Sequence, residues 1–275
     1  MGRNIRTLLR YLLLGLVALL MVGPFLWMVA TSMMDQTDIF RSPPRWLPAE
    51  LNLKNYRAIM DVLPLGRLFL NSFTIAAGAT VGQLLSCALA AYAFARMKFR
   101  GQSVLYFILL ATMMIPPQVT MIPVFLIMKS LGWIDTLYAL IVPAFFGGAF
   151  GTFLLRQFFA TIPQDLEDAA RIDGCGRFRI FWRIVLPLSR PALVTLALFT
   201  FMTYWNDLLG PVIYLSSPGK ATLTIGLANL QSDVMTTRYD LLMAGSVLSV
   251  LPILFLFIVG QRWFVRGIAM TGLKE

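Results

Sequence analysis

Long stretches without a charged side chain alternate along the chain with short charged segments. Runs free of Asp, Glu, Lys and Arg cover Tyr11 to Met34 (24 residues), Leu68 to Ala95 (28), Gly101 to Met128 (28), Thr136 to Leu155 (20) and Leu241 to Gln261 (21). A further run, Pro191 to Gly219, is interrupted by Asp207 alone. A hydrocarbon core about 30 Å thick is crossed by roughly 20 helical residues, so each run is long enough to span it. The pattern predicts an all-α polytopic membrane protein, a single transmembrane domain over 1–275 with six helices at about 11–34, 68–95, 103–128, 136–156, 191–215 and 241–261. The first run is longer than the roughly 7–15 apolar residues of a signal peptide, and no small-residue cleavage site follows Met34, which predicts a retained helix.

Composition agrees with a bilayer as the solvent. Apolar residues make up 58% of the 275 positions and charged residues 13%, about half the share usual in soluble domains. The formal charge of +10 does not imply nucleic acid, because Lys and Arg gather at the ends of apolar runs. Fifteen of them fall on the side of the N-terminus: Arg3, Arg6 and Arg10; Arg96, Lys98 and Arg100; Arg156, Arg171, Arg177, Arg179, Arg183 and Arg190; Arg262, Arg266 and Lys274. Eight fall on the other side, five of them in the long first loop, where charge counts for less. By the positive-inside rule both termini are expected in the cytoplasm.

The chain holds no histidine, and its two cysteines, Cys87 and Cys175, fall in different environments. No His/Cys metal cluster and no His-based triad can be assembled, and a disulfide is not expected. Pro218-Gly219-Lys220-Ala221-Thr222 lacks the first glycine and the hydroxyl residue of a phosphate-binding loop, so no ATPase site is expected in this chain.

Prolines 24, 116, 117, 123, 143 and 252 sit inside the apolar runs and predict kinks. Either ordinary bent packing or helices that line a pathway accounts for any one of them. The stretch Met114 to Pro123 mixes three prolines with Gln118 and Thr120 near mid-span, which points more to a pathway. Asp207 is an acid within a span, and with Tyr204, Trp205 and Asn206 beside it forms a candidate substrate contact, the two rings facing a solute and the two polar groups bonding to it. Its alternative is a place at the outer interface, where Trp and Tyr form the aromatic belt. Gln118, Thr120 and Asn229 are further candidates for the same path.

The segment 157–190 reads as a structured cytoplasmic loop. Thr161-Ile162-Pro163-Gln164 has capping-box spacing; Ile162, Leu166, Ala169 and Ala170 then fall on one helical face until Gly174 offers a left-handed stop. In a second helical pattern Phe178, Phe181, Trp182 and Val185 share one face, Arg179 and Arg183 another, and Pro187 ends it. Two readings stand at this level: a protrusion whose small residues admit a partner, or an amphipathic hairpin lying on anionic lipid.

Asp168-Ala169-Ala170, three residues, Gly174, nine residues, Ile184, one residue, Leu186-Pro187 resembles the EAA loop of ABC importer permeases. Asp168 stands where that loop usually has Glu, with Glu167 just before it. Asn71-Ser72-Phe73, Ala90 to Arg96 with Phe99-Arg100-Gly101, Tyr204 to Asp207, Leu223 to Leu227 and Arg266-Gly267 are similar to the six-helix permeases of carbohydrate importers of the maltose type. The resemblance implies the type I importer permease fold and uptake of a sugar or oligosaccharide, with glycerol phosphate or another polyol as the alternative. It also implies partners: a second permease subunit forming a heterodimer, two nucleotide-binding ATPase subunits that use ATP and Mg, and an extracytoplasmic solute-binding protein at a bacterial or archaeal inner membrane. No cofactor is implied for this chain. Coupling to the ATPase is expected at Glu167, Asp168, Ala169, Ala170, Asp173, Gly174, Ile184, Leu186 and Pro187. An ion-coupled transporter would need no such dock.

Overall fold

A computed structural model describes residues 2–43, 45–48, 50, 52–231 and 237–272, with side chains of 2–5 and 263–272 outside that description. Arg3 and Arg266, used for orientation, fall in those two segments, Arg266-Gly267 of the resemblance lies in the second, and Lys274 lies beyond the described residues. Helices dominate. Among the described residues, four are long and apolar enough to cross a membrane by themselves: Arg6–Ser32, Leu65–Arg96, Tyr138–Thr161 and Tyr239–Arg262. Two more crossings are possible as bent pairs, Gln102–Met114 with Pro117–Ser130 and Arg177–Leu188 with Arg190–Trp205.

In the third span, expected at 103–128, the kink predicted at Pro116 and Pro117 is a full break, and the fifth differs from the continuous helix expected at 191–215. The third bends by 102° between Met114 and Pro117. Pro116 and Pro117 cannot donate to the helical ladder, and Ile115 before them is extended (φ −88°, ψ 114°), as a residue preceding proline prefers. The fifth ends at Trp205, and a short helix, Leu209–Tyr214, follows a break at Asn206 to Leu208. Pro24, Pro123 and Pro252, expected as kinks, lie inside helices that continue through them.

The chain, expected as one domain, divides into two compact units. One comprises 1–65 and 226–252, the other 66–225 and 253–275. In the first, none of the apolar window of Arg6–Ser32 is buried within the chain. Its C-terminal carbonyls are satisfied by buried Asn55, whose amide donates to Ser32 O (3.0 Å) and Met34 O (2.8 Å). The Ser32 and Tyr56 hydroxyls add a hydrogen bond of 2.7 Å. Gln36 bridges the Thr237 carbonyl and the Asp240 amide, and Arg238 pairs with Asp240 at 2.7 Å.

In the second unit, the Leu65–Arg96 and Ala149–Thr161 helices approach closely because small residues face each other. The Cys87 thiol lies against the Gly148 backbone, 3.4 Å from its carbonyl oxygen and accepting from its amide at 3.3 Å, and a Cβ on Gly151 would stand 2.8 Å from Cys87 Sγ and 3.1 Å from both Leu196 methyls. Small residues at helix contacts are the usual solution in lipid, where dispersion packing replaces the hydrophobic drive. Ala88, Ala91, Tyr92, Leu155 and Phe159 continue this core toward the 157–190 loop, where Ala170, Ile180, Phe181 and Val185 join it. Cys87 and Cys175 are both free thiols.

At the opposite end, Asp135 (φ 57°) ties two loops together. Its amide donates to Tyr214 O (2.7 Å). Its carboxylate accepts from the Ser216 and Ser217 amides (3.0 and 2.9 Å), the Ser217 hydroxyl and the Lys220 ammonium (3.0 Å). These bonds, the Ser217 hydroxyl foremost, hold the carboxyl well below the usual carboxylate range. Asn71 donates to the carbonyls of Gly219 and Ala221, and Ser72 accepts from the Leu223 amide, so the same loop is also fastened to the start of the Leu65–Arg96 helix.

Two outcomes follow. Gly151→Ala lowers the thermal midpoint of the purified complex by an overpacking penalty of about 1–3 kcal/mol, and adding Cys87→Ala recovers part of it; additive losses would mean the two sites do not touch. A depressed carboxyl contributes stability above its unfolded value of about 4, lost only as pH falls through its folded value. The midpoint advantage of wild type over Asp135→Asn is therefore full above about pH 5 and is lost as pH falls below about 4 toward the folded value, and a difference that does not change across that acid range would show an ordinary carboxyl.

Candidate functional site

The 157–190 loop begins where the Ala149–Thr161 helix stops at Ile162, extended before Pro163. Thr161 does not act as the expected cap: its hydroxyl donates back to Phe158 O, and the next helix, Asp165–Ile172, starts from Gln164 with no side-chain cap. Asp165, Glu167 and Asp168 in its first turn and Arg171 in its last complement the helix dipole. Its end is a full Schellman closure, with Gly174 N–H on Arg171 O (3.0 Å) and Cys175 N–H on Ala170 O (2.9 Å). Gly174 itself has φ 79°, the left-handed stop anticipated from its position.

The two adjacent acids have opposite environments. Glu167 is fully buried and stands 3.0 Å from Arg96 Nε, whose own side chain is 9% exposed, while Arg171 approaches its other oxygen at 3.5 Å. Arg96 also donates to the Phe159 carbonyl (2.6 Å) and to that of Ile162, capping the C-terminus of the preceding span. Asp168 is exposed and pairs with Arg171 at 2.5 Å. Because Glu167 and Ala170 turn inward, the exposed surface consists of Leu166, Ala169, Ile172, Asp168 and Asp173 around Gly174. The expected face of Ile162, Leu166, Ala169 and Ala170 is thereby split, with Ile162 and Ala170 inside and the other two outside.

The second helix of the loop, Arg177–Leu188, contains a π turn at Phe181–Val185 and runs through Pro187 instead of ending there. The widened turn lies over Arg183, whose carbonyl a proline ring four residues later would otherwise strike. Its buried face is Ile180, Phe181 and Val185, with Ile184 and Leu186 half-buried against the same core. Phe178 and Trp182, expected to share a face with Phe181 and Val185, are exposed while those two are buried.

Part of the candidate substrate path converges. Gln118, Thr120 and Asp207 line one groove of about 290 Å³ with Pro117, Gly210 and Tyr214, between the bend of the third span and the break of the fifth. Asp207 lies in that break, where the Gly210 amide donates to its carboxylate (3.2 Å) and the Thr224 hydroxyl to its carbonyl (2.8 Å). A Cβ on Gly210 would sit 2.4 Å from Asp207 Oδ2, so glycine at 210 is what lets the carboxylate lie there. Trp205 is buried, stacked on Phe201 at 5.5 Å, and is a core residue. Tyr204 lines a different cavity with Gln83 and Phe150, Asn206 is exposed, and Asn229 belongs to the other compact unit.

Arg96, Gly210 and Tyr214 were not singled out from sequence for these roles. An arginine at the last turn of a span was legible as a topology signal only; its partner acid lies 71 residues away. Gly210 carries no local signature, since its demand comes from a neighbour's carboxylate.

Residues 82–270 match the family described as binding-protein-dependent transport system inner membrane component. The chain is 35% identical to the arabinooligosaccharides transport system permease protein AraQ of Halalkalibacterium halodurans, over 100% of both chains. It is 32% identical to the sn-glycerol-3-phosphate transport system permease protein UgpE of Yersinia enterocolitica, over 94% of each. Its fold superposes on a chain of a bacterial ABC transporter involved in import of the acidic polysaccharide alginate with a TM-score of 0.83 and 25% identity, covering 96% of this chain and 98% of that one. The match across most of its length, with identity above 30% over the whole, shows that this chain belongs to the binding-protein-dependent inner membrane components, the multi-pass permease subunits of ABC transporters.

Proposed function

We propose that this chain is one half of the membrane pore of an importer for a neutral sugar or oligosaccharide, with ATP hydrolysed by separate subunits that dock on the Asp165–Ile172 helix and Gly174. The observation that carries the reading is the construction of that helix. It is anchored from inside by the buried Arg96–Glu167 pair, closed by Gly174, and presents small Ala169 between exposed Leu166 and Ile172. A rigid protrusion with an apolar, unfilled outer face suits a protein contact that differs between two global states, which is what coupling requires. Asp168, in place of the family's usual Glu, bonds to Arg171 on that outer face and leaves the inward anchoring to Glu167.

The solute arrives from an extracytoplasmic binding protein, a second permease chain completes the pore, and both termini lie in the cytoplasm by the distribution of Lys and Arg. The groove at Gln118, Thr120 and Asp207 contributes to the path. Its one charged lining residue is the carboxylate of Asp207, beside amide, hydroxyl and phenol groups, which suits a neutral polyhydroxylated solute better than a phosphate or uronate. This favours a sugar over glycerol phosphate. An ion-coupled mechanism is set aside with the family assignment.

Two sets of variants test these assignments. Gly174→Asp and Ala169→Trp abolish uptake in vesicles while the permease still inserts, and Ala169→Trp also fails to retain the ATPase subunits on copurification. Gly174→Asn, which tolerates a left-handed backbone, retains most activity; equal loss in both Gly174 variants, or normal uptake by Gly174→Asp, would refute the docking assignment. Asp207→Asn and Gly210→Ala each raise the apparent KM for the transported sugar by roughly ten-fold, the loss of about one charged hydrogen bond, with ATPase retention unchanged. A lower maximal rate at unchanged KM would place Asp207 outside the path.

A further inference from the structure

The two arms of the 157–190 loop carry opposite charge. Asp165, Glu167, Asp168 and Asp173 lie on the first arm with Arg171 as its one base, whereas 175–190 holds Arg177, Arg179, Arg183 and Arg190 and no acid. The docking surface proposed above uses only the first arm. On the second, Ile180, Phe181 and Val185 are turned into the core, which leaves the opposite surface to be explained. There Phe178 is 70% exposed and Trp182 45%, one helical turn apart with ring centroids separated by 6.1 Å. Arg179 and Arg183 form the adjacent exposed stripe.

The direction of this arm matters as much as its chemistry. Arg177–Leu188 meets the span Arg190–Trp205 at 78°, so if the span crosses the bilayer the arm lies close to the membrane plane, at the level where the span enters. An in-plane helix with aromatic and arginine stripes side by side has the composition of an interfacial segment: the rings enter the headgroup and acyl boundary, and guanidinium groups take phosphate oxygens in bidentate pairs. We infer that the Arg177–Leu188 arm is a binding surface for anionic phospholipid, with Phe178 and Trp182 inserted and Arg179 and Arg183 on the headgroups. The leaflet follows from the orientation proposed above; the contact itself does not depend on which subunit docks on the first arm.

The test uses the complete transporter reconstituted in phosphatidylcholine vesicles with and without phosphatidylglycerol. Brominated phosphatidylglycerol quenches the tryptophan signal by an increment that disappears in Trp182→Phe, and brominated phosphatidylcholine gives a smaller increment. The phosphatidylglycerol titration giving half-maximal quenching of Trp182 moves up by roughly five-fold for each of Arg179→Gln and Arg183→Gln. Quenching of Trp182 that appears only after the ATPase subunits are stripped would show that protein, not lipid, covers the arm. Equal quenching by the two brominated lipids, or a titration unmoved in the double variant, would overturn the anionic preference. The Trp182→Phe comparison needs no change to the arginines, so it stands even if the double variant does not assemble.

Discussion

The pairing of Arg96 with Glu167 is the contact on which the end of the second unit that carries the 157–190 loop depends. One guanidinium at the end of the Leu65–Arg96 helix takes two terminal carbonyls of the next long helix and the only carboxylate the loop sends inward. Three chain segments distant in sequence are thereby fixed to one point. A charge pair so removed from water is not by itself a large net gain, because desolvation offsets much of the attraction. Its consequence is asymmetric: either partner alone would be a buried, uncompensated charge, so the loop cannot lift away from the span without a large penalty. That constraint explains why Ala170 and Ile162 turn inward with Glu167, and why Leu166, Ala169 and Ile172 are left outside.

The membrane half follows a different rule. Between Leu65–Arg96 and Ala149–Thr161 the contact is made by Cys87, Gly148 and Gly151, residues small enough for backbones to approach. Elsewhere the helices give up regularity, at Ile115 to Pro117 and at Asn206 to Leu208, and those two breaks face the same groove. Irregular backbone at membrane depth survives where it is buried in protein or lines a polar cavity. Asp207 answers both conditions here: it caps its own break through Gly210 and stands among the polar groups of the groove.

What could be read from sequence follows how local each determinant is. The apolar runs, Gly174 as a left-handed stop and the small pair Ala169-Ala170 are properties of a few adjacent positions, and the structure has them. Hydropathy does not report where the helical ladder breaks: Pro116-Pro117 marks the bend of the third run in sequence, whereas nothing at Asn206 to Leu208 marks the break of the fifth. The faces of the two loop helices were misassigned because periodicity counts apolar residues and cannot know that a carboxylate, Glu167, has a buried arginine waiting. Trp205 looked like a ligand platform beside Asp207, yet adjacent residues at a helix end point in different directions, and this one stacks on Phe201.

Rigidity at the anchor also decides how a push on the loop is transmitted. Removing one member of a buried pair costs about 3–5 kcal/mol, while coupling free energies between sites are typically about 1–3 kcal/mol. A force of the second size cannot break a joint of the first. On the docking proposed above, the Asp165–Ile172 helix would then move together with the end of Leu65–Arg96 and with the carbonyls of Phe159 and Ile162, not bend against them. The compliant element has to lie elsewhere in the same unit, where the backbone leaves the α-helical ladder at the 102° bend before Pro117, at the 3-10 turn Val142–Phe146 with Gly147 (φ 90°) after it, and at the break around Asp207. The bend before Pro117 and the break around Asp207 border the groove that holds Gln118 and Thr120, so on the function proposed above motion delivered at the loop would change its shape.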